Sequence, residues 1–194
     1  MRRAVSEIES RTSAEIIVMA RGRSGRYREA DFLGGLATGL LVLLGLLYLP
    51  PVFPLWTFAP NVLFGFGLGA LVVSRSSWCR RHLTPRQVLV ENVCRAARTA
   101  FVDAGYAGLP GRHAVLVYVA LLERHVDVVV DLGVQHASRT TEWANACRGL
   151  DASLRQPDVG QFVTALRELG AVLARTYPRA DDDRNELPDE MQHS

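Results

Sequence analysis

The chain of 194 residues contains no lysine, and every one of its basic residues is arginine. That absence removes the P-loop lysine, the Schiff-base lysine and the Ser-Lys dyad together. Cysteine is scarce as well. Cys79, Cys94 and Cys147 are odd in number, widely spaced and without a C-x-x-C, so unpaired thiols in a reducing compartment are expected. No G-x-S-x-G, no H-E-x-x-H and no cysteine followed by five residues and arginine occurs, which leaves no recognisable nucleophile elbow or zinc-protease helix. The five histidines, His82, His113, His125, His136 and His193, lack paired metal-ligand spacing. An excess of one charge is also missing. With 22 basic and 20 acidic residues the net charge is +2, which gives no reason to expect nucleic acid as a partner.

What the chain does have is a long stretch free of charge. Residues 32–74 carry no Asp, Glu or Arg. One helical pass needs about 20 apolar residues, so the run has room for two passes and a tight turn. Pro50, Pro51, Pro54 and Pro60 mark the break, because proline stops a helix and restarts it at its first turn. Helices are expected at 32–49 and 58–75, with Trp56 and Trp78 bracketing the second as interfacial residues do. Arg21, Arg23, Arg26 and Arg28 precede the run, and Arg75, Arg80, Arg81 and Arg86 follow it, whereas the turn has no basic residue. This asymmetry predicts a two-pass hairpin with both flanks, and hence the N- and C-terminal parts, in the cytoplasm. Gly35/Gly39 and Gly65/Gly69 form small-x-x-x-small pairs. Such pairs let helix backbones approach closely, either within the hairpin or between two copies in a homodimer.

The rest reads as one split α/β domain. Helical periodicity is expected over 2–9, followed by a strand at 15–20. Thr84-Pro85-Arg86-Gln87 opens a helix whose stripe is Val88, Leu89, Val93, Ala96, Ala97, Ala100 and Phe101, with Gly105 as its stop. Residues 113–122 are apolar on both faces, as in a central strand. From His125 the pattern alternates: Val126, Val128, Val130 and Leu132 point one way, His125, Asp127, Val129 and Asp131 the other. Amphipathic helices are expected at 141–154 and 158–177, the second opened by Asp158 and Gln161. A strand–helix–strand crossover is thus interrupted where its helix begins, and the hairpin returns the chain to the side it left. The expected division is 1–31 with 79–180 as one domain, 32–78 as the membrane hairpin, and 181–194 as an acidic tail.

Carboxylates are the concentrated chemical resource. Asp127 and Asp131 share a strand face, but four residues at ~3.3 Å each separate them by about 13 Å. Asp131, at the strand's C-terminal end beside Gly133, is the better ligand, because ligands in open α/β sheets gather at strand ends. In the tail, Asp181, Asp183 and Asn185 occupy positions like 1, 3 and 5 of a calcium loop. Glu186 replaces the needed glycine and Gln192 the closing glutamate, so an EF-hand is excluded. The candidate metal-ligating residues are Asp131, Asp127, Asp182 and Asp183, with a divalent cation such as calcium as ligand.

The stretches "IESRTSAEIIV", "YREAD", "RHAVLVYVALLERHVDVVVDLGV", "EW" at 142–143, "DVGQFVTALRELGAVLARTYP" and "DDRNELPDE" resemble the TPM-domain family. That family is known from chloroplast-lumen and photosystem-repair proteins and from bacterial membrane proteins. The resemblance covers nearly all of the chain outside the hairpin. It implies an α/β/α sandwich, here with a two-helix transmembrane hairpin inserted in the first crossover. Where other members have "GYG" after the second hairpin strand, this chain has Asp131-Leu132-Gly133. The family association extends to assembly or repair of membrane complexes, divalent-cation binding and acid phosphatase activity. Two functions are therefore expected to compete. One is a membrane-tethered module aiding assembly, maintenance or turnover of other membrane proteins. The other is a metal-dependent phosphatase working near the bilayer surface, where a cation would shield phosphate charge. A transporter is not expected, since the two helices supply no ionisable residue for a polar path.

Overall fold

The structure is a computed structural model that describes residues 2–25, 27–49, 54–106, 113–155 and 158–178. The chain divides into two compact units, one formed by residues 1–24 and 90–194, the other by residues 25–89.

In the first unit, α1 (Arg2–Glu9) leads into β1 (Glu15–Arg21), and the chain re-enters through α5 (Arg86–Asp103). There follow β2 (Ala114–Ala120), β3 (His125–Val130), the short α6 (Gln135–Ser138), α7 (Thr141–Ser153) and α8 (Val159–Thr176). The three strands form a mixed sheet in the order β1-β2-β3. β1 and β2 are parallel, with Glu15 opposite Ala114 and Arg21 opposite Ala120. β2 and β3 are antiparallel, with Val115 opposite Val130 and Ala120 opposite His125. All seven residues of β2 are buried, which is why its sequence is apolar on both faces.

Helices cover both faces of the sheet. On one face Ile16, Val18, Val115, Val117 and Val119 meet Trp143, Leu150, Phe162, Leu166, Leu169 and Leu173 from α7 and α8. On the other, Ile17, Met19, Leu116 and Tyr118 meet Val93, Ala97 and Phe101 from α5. Period-two strands thus feed two cores and period-3.6 helices close each of them. Burial of each fully enclosed leucine contributes about 1.5–3 kcal/mol. α7 is capped by Thr140, whose hydroxyl accepts from the Trp143 N–H at 3.2 Å. α8 is capped by Asp158, which accepts from the Gly160 N–H at 2.8 Å. After α5, Gly105 takes φ +76°, a left-handed position that glycine adopts without strain.

The second unit holds α2 (Arg28–Tyr48), a single 3-10 turn (Leu55–Thr57), α3 (Phe58–Arg75) and α4 (Ser77–Leu83). α2 and the stretch from Leu55 to Arg75 are long and apolar enough to cross a membrane. They pack through glycine. A Cβ on Gly35 would lie 2.9 Å from the Phe66 ring and carbonyl oxygen, and one on Gly65 would lie 2.7 Å from Val42. Gly34 stands against Val73, and Gly69 against Thr38 and the Gly34 carbonyl. The glycine pairs read from the sequence, Gly35/Gly39 and Gly65/Gly69, stand against the facing helix of the hairpin. Outward from this seam, Leu41 is 68%, Leu63 70% and Phe64 72% exposed. α4 follows α3 after one residue, Ser76, whose hydroxyl accepts from the Cys79 N–H.

The structure departs from the sequence reading in three places. β3 ends at Val130, so Leu132 does not continue its inward row; it opens a 3-10 turn (Leu132–Val134) and is 59% exposed. α4 and α6 were not anticipated, and His136 sits in α6 rather than in a loop. The hairpin unit is wider than residues 32–78, because α4 packs against both α2 and α3.

Candidate functional site

Two carboxylates belong to β3 and its end, Asp127 within the strand and Asp131 directly after it. Asp131 follows the last residue of the strand. Its N–H donates to the Ala114 carbonyl at 2.9 Å, closing the β2–β3 ladder. Its Oδ1 accepts from the Leu132 N–H at 2.7 Å, starting the 3-10 turn. The residue is 6% exposed, and its Oδ2 is buried with no hydrogen-bond partner among the described residues.

Asp127 sits mid-strand opposite Tyr118. Alternation turns it toward α5, on the side of the Cys94 thiol. Burial pushes the Cys94 thiol pKa upward, and the negative charge of Asp127 adds to it. Cys147 on α7 is held up more strongly, to about 11, by burial first and by Asp127 second. Both shifts have the physical sign of a thiolate that is poorly solvated and near an anion.

Asp127 and Asp131 therefore stand apart, one beside a thiol of α5 and one in a turn. Among the described residues no group of three or more His, Cys, Asp and Glu side chains could hold a metal ion. The other two candidate ligands, Asp182 and Asp183, lie outside the described residues. So does the acidic tail at 181–194.

A different charged group, not read from the sequence, closes the other end of β3. His125 Nδ1 lies 2.5 Å from Asp151 Oδ1, and the same oxygen accepts from the Val126 N–H at 3.4 Å. Arg155 approaches the other Asp151 oxygen at 3.6 Å. The Asp151 carboxylate, near the end of α7, thereby ties that helix to the first turn of β3. A second buried carboxylate, Glu123 in the β2–β3 turn, accepts from the Ser24 N–H at 2.7 Å. These partners are 26 and 99 positions apart, so neither spacing nor periodicity signals them.

In the hairpin unit, Arg80 of α4 grips Asp31 of α2 in a bidentate pair, Nε to Oδ1 at 2.9 Å and a terminal nitrogen to Oδ2 at 2.8 Å. The side chains are 13% and 22% exposed. The hydrogen bonds to Asp31 raise the Arg80 pKa further above its ordinary range, against the opposing effect of burial.

No family model and no curated protein matches the chain. Among solved structures it is similar in fold to the NMR structure of BA42 protein from the psychrophilic bacterium Bizionia argentinensis sp. nov.. The TM-score is 0.58 at 16% sequence identity, over 98% of this chain and 87% of the other.

Proposed function

We infer that the chain is a two-pass, membrane-tethered TPM-like module of α/β/α sandwich type, with both flanks in the cytoplasm, that aids assembly, maintenance or turnover of other membrane proteins. The observation that carries this reading is the inverted packing of the hairpin: glycines inside, large apolar side chains outside. A surface of that kind is solvated by lipid tails rather than by water. It is inserted between β1 and β2, two neighbouring strands of one sheet, so the whole sheet unit is tethered by its own chain. The test is depletion of the protein followed by quantitative proteomics of the membrane fraction. A defined set of integral membrane proteins should fall in abundance. Re-expression of the full chain should restore them, and a chain with residues 32–78 replaced by a soluble linker should not. Unchanged membrane protein levels would overturn the reading.

One observation favours the alternative, a divalent-metal-dependent phosphatase: the buried Asp131 Oδ2 without a partner among the described residues, the kind of atom a cation satisfies. Hydrolysis of p-nitrophenyl phosphate by the purified full chain in calcium, magnesium or manganese, lost in Asp131→Asn, would establish it. No turnover with any cation would remove it.

A further inference from the structure

We propose that the outer edge of β3 is a docking strand that takes an extended segment of a partner protein by strand addition. The partner class rests on the module reading above, whereas the edge itself rests on the hydrogen-bond pattern of the sheet.

Among the described residues the sheet has two outer edges, β1 and β3. The Asp131 N–H donates to the Ala114 carbonyl, which fixes the phase of the antiparallel ladder. In this register Val129 and Asp127 exchange bonds with Leu116 and Tyr118. Val126, Val128 and Val130 therefore turn their N–H and C=O groups away from β2. The Val126 N–H is taken by Asp151 at 3.4 Å. The N–H groups of Val128 and Val130 meet no acceptor among the described residues, and both residues are half-buried.

The β1 edge differs. Its Ile16 N–H is taken by Glu9 Oε1 at 3.3 Å, as that of Val126 is by Asp151, but Ile16, Ile17, Val18 and Met19 are all buried, whereas Val128 and Val130 are only half-buried. Between Val126 and Val130 the β3 edge carries neither proline nor a basic residue, and Asp127 is the single edge-protecting charge it has. An unpaired row of backbone donors and acceptors is a template for another strand.

The side chains define the occupant. Val126, Val128 and Val130 line the face toward α7 and α8. Asp127 and Val129 line the face toward α5. Asp127 is the one charged side chain between Val126 and Val130. The occupant is a short extended segment with apolar residues alternating along one face and a basic residue opposite Asp127. Cross-strand pairs of that kind stabilise a ladder.

The test is residue-resolved amide hydrogen exchange on the full chain in detergent micelles, with and without the acetylated, amidated peptide Ser-Val-Arg-Val-Thr-Val-Ser. The Val128 and Val130 amides should exchange freely in the protein alone. Saturating peptide should slow them by about tenfold or more, while Asp127 and Val129 keep their existing protection. The same peptide with Asp in place of Arg should bind more weakly, and Asp127→Arg should reverse that preference. Val128→Pro should abolish protection, because proline removes a donor yet is tolerated on an edge strand. Retained protection at Val115 and Val117 would confirm that this variant folds.

Three results would overturn the proposal. Slow exchange of both amides without peptide at every protein concentration would mean that the chain covers its own edge. Slowing that grows with protein concentration would assign the edge to a second copy. No effect of saturating peptide would leave the edge without an extended occupant. Each outcome is separate from the proteomic test, which reads the membrane role and not the edge.

Discussion

The two units of this chain solve the same packing problem with opposite residues. In the α/β unit Leu150, Leu166, Leu169 and Leu173 are fully enclosed, at 0% exposure. In the hairpin five of the enclosed positions are Gly34, Gly35, Gly39, Gly65 and Gly69, beside Ala30 and Val73, while Leu41, Leu63 and Phe64 face outward. Water drives apolar side chains inward, whereas lipid tails are as apolar as leucine and leave close backbone approach to hold helices together. The two units thus differ in which residues they enclose, and the hairpin has the pattern expected of helices long and apolar enough to cross a membrane. The difference is legible residue by residue from where the glycines stand.

That contrast can be broken with one type of substitution made twice. Leu166→Ala opens a cavity in an enclosed core and should cost about 2–5 kcal/mol. Urea unfolding followed at buried Trp143, in a background of Trp56→Phe and Trp78→Phe, measures it. Leu41→Ala, at a position 68% exposed, should stay within about 0.5 kcal/mol in the same assay. Equal losses at the two sites would mean that the outer face of α2 is packed rather than solvated.

Glycine supplies the converse experiment, and one glycine crosses the boundary between the two patterns. Gly170 of α8 lies against the Ile8 side chain of α1, in the α/β unit. An added methyl there must displace Ile8, an overpacking cost of about 1–3 kcal/mol set against a gain of about 1 kcal/mol in helix propensity. Gly170→Ala should therefore lower the urea midpoint modestly. The hairpin's Gly35→Ala meets the Phe66 carbonyl as well as its ring. Backbone cannot swing aside, so this variant should lose the α2–α3 contact outright, read as loss of cross-linking between cysteines placed on the two helices.

Polar contacts sharpen the comparison at smaller amplitude. The Arg80–Asp31 pair closes the base of the hairpin unit with two short hydrogen bonds. A double-mutant cycle with Asp31→Asn and Arg80→Gln, read by thermal loss of helicity in micelles, should give a coupling of about 1–3 kcal/mol. The Glu7–Arg167 pair of the α/β unit is longer and about half exposed, and its cycle should give under about 1 kcal/mol.

Elements with strong periodicity were legible in the sequence, and contacts between distant positions were not. The apolar stripe of α5, the two-faced burial of β2 and the Asp158 cap of α8 follow from local chemistry, and the structure has them close to the expected limits. Leu132 was misread because alternation cannot show where a strand stops. The signal for the turn was Asp131 followed by Gly133, a capping side chain beside a flexible residue. α4 was hidden because Trp78 and the arginines around it look like the frayed end of a span rather than a separate helix. The Asp151 clasp on His125 and Val126 joins residues 25 and 26 positions apart, and no spacing rule reaches that far. The carboxylate set was read as a list; its separation into a thiol partner, a turn cap and an undescribed tail depends on where the sheet ends.

The smallest expected effect concerns the thiols of the α/β unit. Cys147 is raised from 9.0 to about 11, chiefly by burial, and Cys94 is raised by burial and Asp127. A folded-state pKa above the unfolded value means the fold favours the protonated thiol. Its contribution to stability is complete below about pH 9, the unfolded value, and is lost as pH rises through about 11. Iodoacetamide, which needs thiolate, should therefore label Cys147 very slowly at pH 8, and faster as pH climbs. Asp127→Asn removes an anion near both sulfurs and should speed labelling of each by roughly two- to fivefold at pH 8. Site-resolved mass spectrometry separates the two cysteines. If only Cys94 responds, the Asp127 charge does not reach across β3 to α7, and burial alone holds the Cys147 thiol protonated.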